Sequence, residues 1–231
     1  HMTRVGRWIK RGLLLALFGF TALQSWYFLH IVYWRYANPH LTSFMEIRLD
    51  EMRANDPRAQ IAQSWVPYEK ISTHVKRAVI AAEDDKFIDH EGFDWEGMQK
   101  AIEKNQRKGK VVAGGSTISQ QLAKNLFLSP SKTPWRKLQE AAITLMLEYL
   151  LDKQRILEIY LNVVEWGNGI FGIEVAAQRY YKTSAAQLGP AQAARLAVML
   201  PNPRKYESQF GPRLQAHANR IQSRMASTDL P

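Results

Sequence analysis

Ala81-Ala82-Glu83-Asp84-Asp85-Lys86-Phe87-Ile88-Asp89-His90-Glu91-Gly92 closes an apolar helical pattern with a carboxylate pair and a turn. Val75 and Val79 precede Glu83 at helical spacing, with Ala78 and Ala82 beside them, so Glu83 falls on the flank of one apolar stripe. Ser72 or Thr73 suits the N-cap of that helix. A carboxylate edged into an apolar stripe loses water, which raises its pKa towards the range of a general base. The plainer alternative is a glutamate at a fraying helix end, paired with Lys86. His90 reads as a structural hydrogen-bonding group rather than an acid or a ligand.

Upstream, Arg4, Arg7, Lys10 and Arg11 precede an apolar run from Gly12 to Trp34. The run exceeds the roughly 20 residues that a bilayer-spanning helix needs. Trp26, Tyr27, Tyr33 and Trp34 gather at its far end, where an aromatic belt sits. The basic residues lie before the run, so residues 1–11 are expected in the cytoplasm and the chain after the 12–34 span outside. The run is long for a signal-peptide core and lacks a small-x-small cleavage site, which favours an uncleaved anchor. His1-Met2 reads as an expression scar ahead of a native start at Met2. Residues 35–62 read as a membrane-proximal linker, with a short amphipathic helix within 41–55. The 63–231 stretch is one domain. Pro67 disfavours helix at Val66, so Gln63–Tyr68 is expected to be extended.

Downstream, the spacing predicts a helix over 94–106 that runs into Lys104, Arg107, Lys108 and Lys110, a solvated basic loop or a mobile anion-gathering one. Gly114-Gly115-Ser116-Thr117 feeds another helix, with Ser116 as expected N-cap. Gln121 and Asn125 share a face with Ile118 and Leu122, and buried amides need partners in protein or in a polar ligand. The lysine of a P-loop is missing at its required spacing, so the glycine pair does not make a nucleotide site. In the 134–151 helix, Glu140 stands on the stripe of Ile143, Leu147 and Leu151, a carboxylate where a core residue is expected. Lys132, Arg136 and Lys137 cluster just before it. A buried Arg136–Glu140 ion pair at i,i+4 accounts for this equally well. Helices are expected over Lys153–Val163, Ile173–Tyr181 and Ala191–Leu200. A Gly-rich bend covers Glu165–Gly172, and Leu214, Ala218, Ile221 and Met225 form a C-terminal stripe. No strand alternation persists, so the fold is mainly α.

Lys plus Arg is 31 against 21 for Asp plus Glu, a net charge of +10, which favours anionic partners such as nucleic acid, anionic lipid or a phosphorylated substrate. Cysteine is absent, which excludes disulfides, thiol catalysis and thiolate metal sites. Two carboxylates on apolar helix faces suit chemistry at a sugar carbon. The basic groups suit an anionic leaving group such as a pyrophosphate.

Five blocks resemble the peptidoglycan glycosyltransferases, glycosyltransferase family 51, and within it the monofunctional biosynthetic transglycosylases. They are 83–92, 114–125 (GGSTISQQLAKN), 136–140 (RKLQE), 153–162 (KQRILEIYLN) and 194–203 (ARLAVMLPNP), in the family's order. The resemblance implies a lysozyme-like glycosyltransferase domain of head and jaw, carried on one transmembrane helix. It implies Glu83 as the catalytic base and Glu140 as a second catalytic carboxylate that positions the substrate. Lys124, Lys132, Arg136 and Lys137 would steady pyrophosphate, Gln121 and Asn125 would line the sugar cleft, and Ser116 and Thr117 would meet the donor. The stretch near 104–113 corresponds to a mobile loop. No obligatory cofactor is implied; a divalent cation, Mg or Mn, is expected at most at the pyrophosphate, with Glu140 as its candidate protein ligand. The implied partners are lipid II, the growing glycan chain, the membrane and other cell-wall synthesis proteins, with no nucleic acid. The implied location is the bacterial inner membrane, with the catalytic domain periplasmic.

Three rivals compete with this reading. A lysozyme-like lytic enzyme shares a catalytic glutamate but has no use for the Lys/Arg cluster. Ser129-Pro130-Ser131-Lys132 matches the S-x-x-K of penicillin-binding acyltransferases, but the partner motifs are missing. A non-enzymatic scaffold would use the basic face alone to hold anionic lipid.

Overall fold

A computed structural model describes residues 3–111 and 114–231. The His1-Met2 reading and the Val112-Ala113 end of the expected mobile loop lie outside the described residues. The fold is mainly α, as expected.

Helix α1 (Arg4–Trp34) is apolar and long enough to cross a membrane. Most of it is exposed, but its far end is packed: Tyr27 and Ile31 are buried. Phe127 stacks on Trp34 and meets Trp26 and Tyr27, with ring centroids 5.0–5.6 Å apart. Helix α2 (Ser43–Asn55) follows, capped by the Thr42 side chain. The extended 63–67 segment is held by Asn162, which accepts from the Val66 N–H at 2.8 Å and donates to its carbonyl at 2.9 Å.

Helix α3 (Thr73–Glu83) starts at the Ser72 cap and buries Val75, Ala78 and Val79. The glutamate of interest is its last residue. Helix α4 (Trp95–Lys108) ends at Gly109, which has φ 64°. Helix α5 (Ile118–Phe127) is capped by Thr117 rather than by the expected Ser116. Thr117 forms a reciprocal capping box with Gln120, which Ser116, one residue too early, does not reach. Helices α6 (Pro134–Leu150) and α7 (Lys153–Val163) agree with the sequence reading.

The expected bend at 165–172 contains a small hairpin instead. Strands β1 (Glu165–Gly167) and β2 (Ile170–Phe171) pair antiparallel around Asn168-Gly169, with Ala62 bridged to Ile170. Asn-Gly favours the φ > 0 that such a turn needs, and the strands are too short to show alternation. Gly172 has φ 88°, and a Cβ there would lie 2.6 Å from the Asn162 carbonyl oxygen. Helices α8 (Ile173–Tyr181), α9 (Pro190–Ala197), α10 (Pro203–Tyr206) and α11 (Pro212–Met225) complete the chain. Helix α9 stops three residues before the expected Leu200, in turns leading to Pro201.

Two helical groups result. Helix α3 packs on α9 and α11, while α5 packs on α6, α7 and α2, and α6 also carries α1. Glu83 and Gln121 meet where the groups join.

Candidate active site

The loop after α3 is fixed by its own carboxylate. Asp84 Oδ2 accepts from the Ile118 N–H at 3.0 Å, at the start of α5, and from His90 Nε2 at 2.7 Å. His90 Nδ1 accepts from the Gly92 N–H at 2.9 Å, which makes Nε2 the protonated nitrogen. Thr117 Oγ1 donates to the Gly92 carbonyl at 2.7 Å. Gly92 has φ 111°, where a Cβ would press on Thr144 at 3.0 Å. One buried carboxylate therefore ties the end of α3 to the beginning of α5, with His90 in the structural role expected of it.

That tie sets Glu83 against Gln121. Gln121 Nε2 donates to Glu83 Oε2 at 2.9 Å, and Tyr160 Oη donates to Gln121 Oε1 at 2.8 Å. The Gln121 amide orientation is thus fixed from both ends. Glu83 is half-buried, and Lys86 pairs with Glu96 instead of with it. Burial raises the Glu83 pKa and the neighbouring Asp84 charge adds to this; the Gln121 hydrogen bond and the Lys124 ammonium draw it back. Tyr160 is pushed well above its ordinary value, first by burial and then by the Glu83 and Asp84 charges, so it is held as a donor.

Glu140 is buried, and both of its oxygens are engaged. Arg136 Nη1 donates to Oε2 at 2.6 Å and Lys137 Nζ to Oε1 at 3.2 Å. The i,i+4 ion pair read as an alternative in the sequence is therefore present. Arg136 is also buried, and its Nε has no partner. Burial lowers the Lys124 pKa, with the charges of Glu140, Arg136, Lys137 and Glu83 acting on it in addition. Lys132 is exposed just ahead of α6 and forms no ion pair among the described residues.

The Glu83–Gln121 bond links the walls of two cavities. One, of about 240 Å³, is lined by Glu83, Ser116, Thr117 and Arg224 among others. The other, of about 200 Å³, is lined by Gln121, Lys124, Asn125 and Tyr160 together with Arg48 and Glu165. Asn125 donates its Nδ2 to the Gln121 carbonyl at 2.8 Å. The arrangement offers a poorly hydrated base between two bays, with cations on the side of Lys124. Among the described residues no group of three or more His, Cys, Asp or Glu is placed to hold a metal ion. With both oxygens of Glu140 bonded to cationic groups, the residues do not fit a resident metal there.

Sequence reasoning missed Tyr160, Arg48, Glu165, Arg204 and Arg224. For Tyr160 a signal existed: a hydroxyl on the buried stripe of α7 must find a partner. The others come from distant segments with no pattern of their own.

A family model described as transglycosylase matches residues 50–226. The chain is 65% identical over 221 residues, 96% of each chain, to a protein of Aromatoleum aromaticum called biosynthetic peptidoglycan transglycosylase. It is 63% identical over 230 residues to one of that description from Azoarcus sp., with 100% of both covered. It is 60% identical over 232 residues to another from Dechloromonas aromatica, again with 100% of both covered. The motifs around Glu83, the α5 cap and the ion-paired start of α6 all lie inside the matched region, and the chain belongs to the transglycosylase family.

Proposed function

We infer that this protein is a peptidoglycan glycosyltransferase that polymerises lipid II into glycan strands. The observation that carries the reading is the half-buried Glu83 carboxylate, which lines one cavity and is held by Gln121, a wall residue of a second cavity that Lys124 also lines.

Glu83 takes the proton from the GlcNAc 4-hydroxyl of an acceptor lipid II. The freed oxygen attacks the anomeric carbon of the MurNAc that ends the growing chain. As the new bond forms, the bond from that carbon to the diphosphate oxygen breaks, and undecaprenyl pyrophosphate leaves with the electron pair. Attack from the opposite face inverts α to β. Base catalysis of this kind supplies about 10²–10⁴ in rate. The departing diphosphate gains negative charge, and Lys124, Arg136 and Lys137 are the groups that meet it. The unpartnered Arg136 Nε supports this role, since a buried donor is satisfied when an anion arrives. Glu140 acts as the fixed counter-charge that orients Arg136 and Lys137. A divalent ion, where one takes part, would ride on the diphosphate oxygens and not on Glu140. Ser116 and Thr117 border the bay on the other side of Glu83. A lytic enzyme transferring the chain to water has no need of these cations.

In the same reading α1 is the single-pass anchor in the inner membrane. Arg4, Arg7, Lys10 and Arg11 hold its start on the cytoplasmic side, and the domain works in the periplasm. The test is to incubate the full chain with lipid II and, separately, with finished glycan. Strand growth from lipid II that is lost in Glu83→Gln is the expected result. Release of muropeptides from finished glycan without growth overturns the reading.

A further inference from the structure

The cavity that holds Gln121, Lys124 and Tyr160 has a second charged end, built from three distant segments. Arg48 of α2 donates Nε to Glu165 at 3.0 Å and 3.3 Å, and its Nη1 reaches Glu51 at 3.0 Å. Arg204 of α10 stands more loosely, with Nε 4.0 Å from Glu165 and Nη1 3.4 Å from Glu51. The Arg48 and Glu165 side chains are 13% and 9% exposed, while Arg204 is 45% exposed. The charged side chains lining this cavity are Arg48, Lys124, Arg204 and Glu165: three cations and one carboxylate. With Glu51 behind the two arginines the cluster still holds three cations against two carboxylates, an excess that suits an anion.

We propose that Arg48 and Arg204 form an oxyanion-binding subsite for the glycan substrate, with Glu165 as the resident counter-ion that the substrate's anion replaces. Guanidinium forks match planar and tetrahedral oxyanions through paired N–H bonds. Glu165 takes the Nε of Arg48 at the wall of the cavity, and Glu51 takes its Nη1. Burial raises its pKa against the pull of both arginines, so its ionised form is costly to keep there. An incoming oxyanion that brings its own bonds takes over the arginines, and Glu165, left without its counter-charges, takes a proton from solvent, the form that burial favours. The proposal rests on the glycosyltransferase reading above. Two groups on lipid II have the right chemistry, the diphosphate and the carboxylates of the peptide arm.

The sign of one substitution separates this from a purely structural clasp. Glu165→Gln keeps the shape and removes the charge, leaving both arginines to the substrate. It is expected to lower the KM for lipid II about threefold or more, whereas loss of a structural clasp raises KM. Arg204→Gln, at a half-exposed position that leaves the core intact, is expected to raise KM about tenfold, the usual effect of losing one charge-assisted hydrogen bond. Both variants are compared with the full-length wild type by strand growth, with thermal melts to check folding. Repeating the Arg204→Gln measurement on lipid II with amidated peptide carboxylates identifies the anion. A penalty that disappears assigns the subsite to the peptide arm, and one that persists assigns it to diphosphate. A raised KM in Glu165→Gln, or an unchanged KM in Arg204→Gln, overturns the subsite. Failure of the wild type to extend lipid II overturns instead the reading on which it rests.

Discussion

Gln121 bonds Glu83 at 2.9 Å through its amide nitrogen while its amide oxygen accepts from Tyr160 at 2.8 Å. A neutral side chain thereby holds the carboxylate in place without neutralising it. The bond also lowers the Glu83 pKa, working against burial. Gln121→Leu removes that bond, so the acid limb of kcat against pH is expected to move to higher pH, with less ionised base at neutrality. Tyr160→Phe keeps the Gln121–Glu83 bond and should leave the limb near its wild-type position. A pH–rate profile of the three proteins checks both statements.

Glu83 itself should trade stability for activity. Glu83→Gln is expected to cut kcat by about 10²–10⁴. The folded-state pKa of Glu83 lies above its ordinary value of 4.5. The protonated form thus favours folding, a contribution complete below pH 4.5 and lost as pH rises through the raised value. At pH 7 the ionised side chain is a burden that the neutral amide of the variant does not carry. Glu83→Gln is therefore expected to melt higher than wild type at pH 7, with the gap closing as pH falls through the carboxylate range. Calorimetry across that range measures it.

The two cations on Glu140 should separate cleanly. Arg136 is buried and Lys137 is 54% exposed. Arg136→Ala strands a buried carboxylate and is expected to cost about 3–5 kcal/mol. Lys137→Ala is expected to cost under about 1 kcal/mol, because Lys137 itself is exposed and Arg136 still holds the buried carboxylate. Its effect should fall on substrate affinity. Urea melts read the first difference and KM for lipid II the second.

Asp84→Ala removes the acceptor shared by the Ile118 N–H and His90. Each orphaned buried donor costs about 1–3 kcal/mol. With two donors orphaned, stability should drop by about 2–6 kcal/mol, and kcat should fall with it, because α5 carries Gln121. Asp84→Asn, which retains one acceptor, should recover part of the loss in urea denaturation.

Much of this was legible in the chain because helices carry local signals. The Ser72 cap, the Val75–Val79 stripe and the placement of Glu83 on its flank all follow from period and capping. So does Glu140 among apolar neighbours, with the Arg136 ion pair that the i,i+4 spacing offered as the alternative. The α5 cap fell on Thr117 because the reciprocal bond with Gln120 outweighs proximity to the glycines. The β1–β2 hairpin escaped because strands this short have no alternation to read, although Asn168-Gly169 carried the turn. Arg48, Glu165 and Arg204 were invisible for a different reason. They lie on separate segments and acquire a common meaning only when α2, β1 and α10 surround one cavity.

The pairing of α1 with α6 fixes an altitude. Phe20 meets Trp135 and Gln24 bonds Gln139 at 2.9 Å, so the two helices climb side by side in the same direction. Arg136, Lys137 and Glu140 are therefore carried beside the tether, and Trp135 and Leu138 point outward, exposed and apolar. Any shift of α1 along its own axis is therefore passed to the cation-bearing start of α6, so the tether and the charged cluster move as one piece.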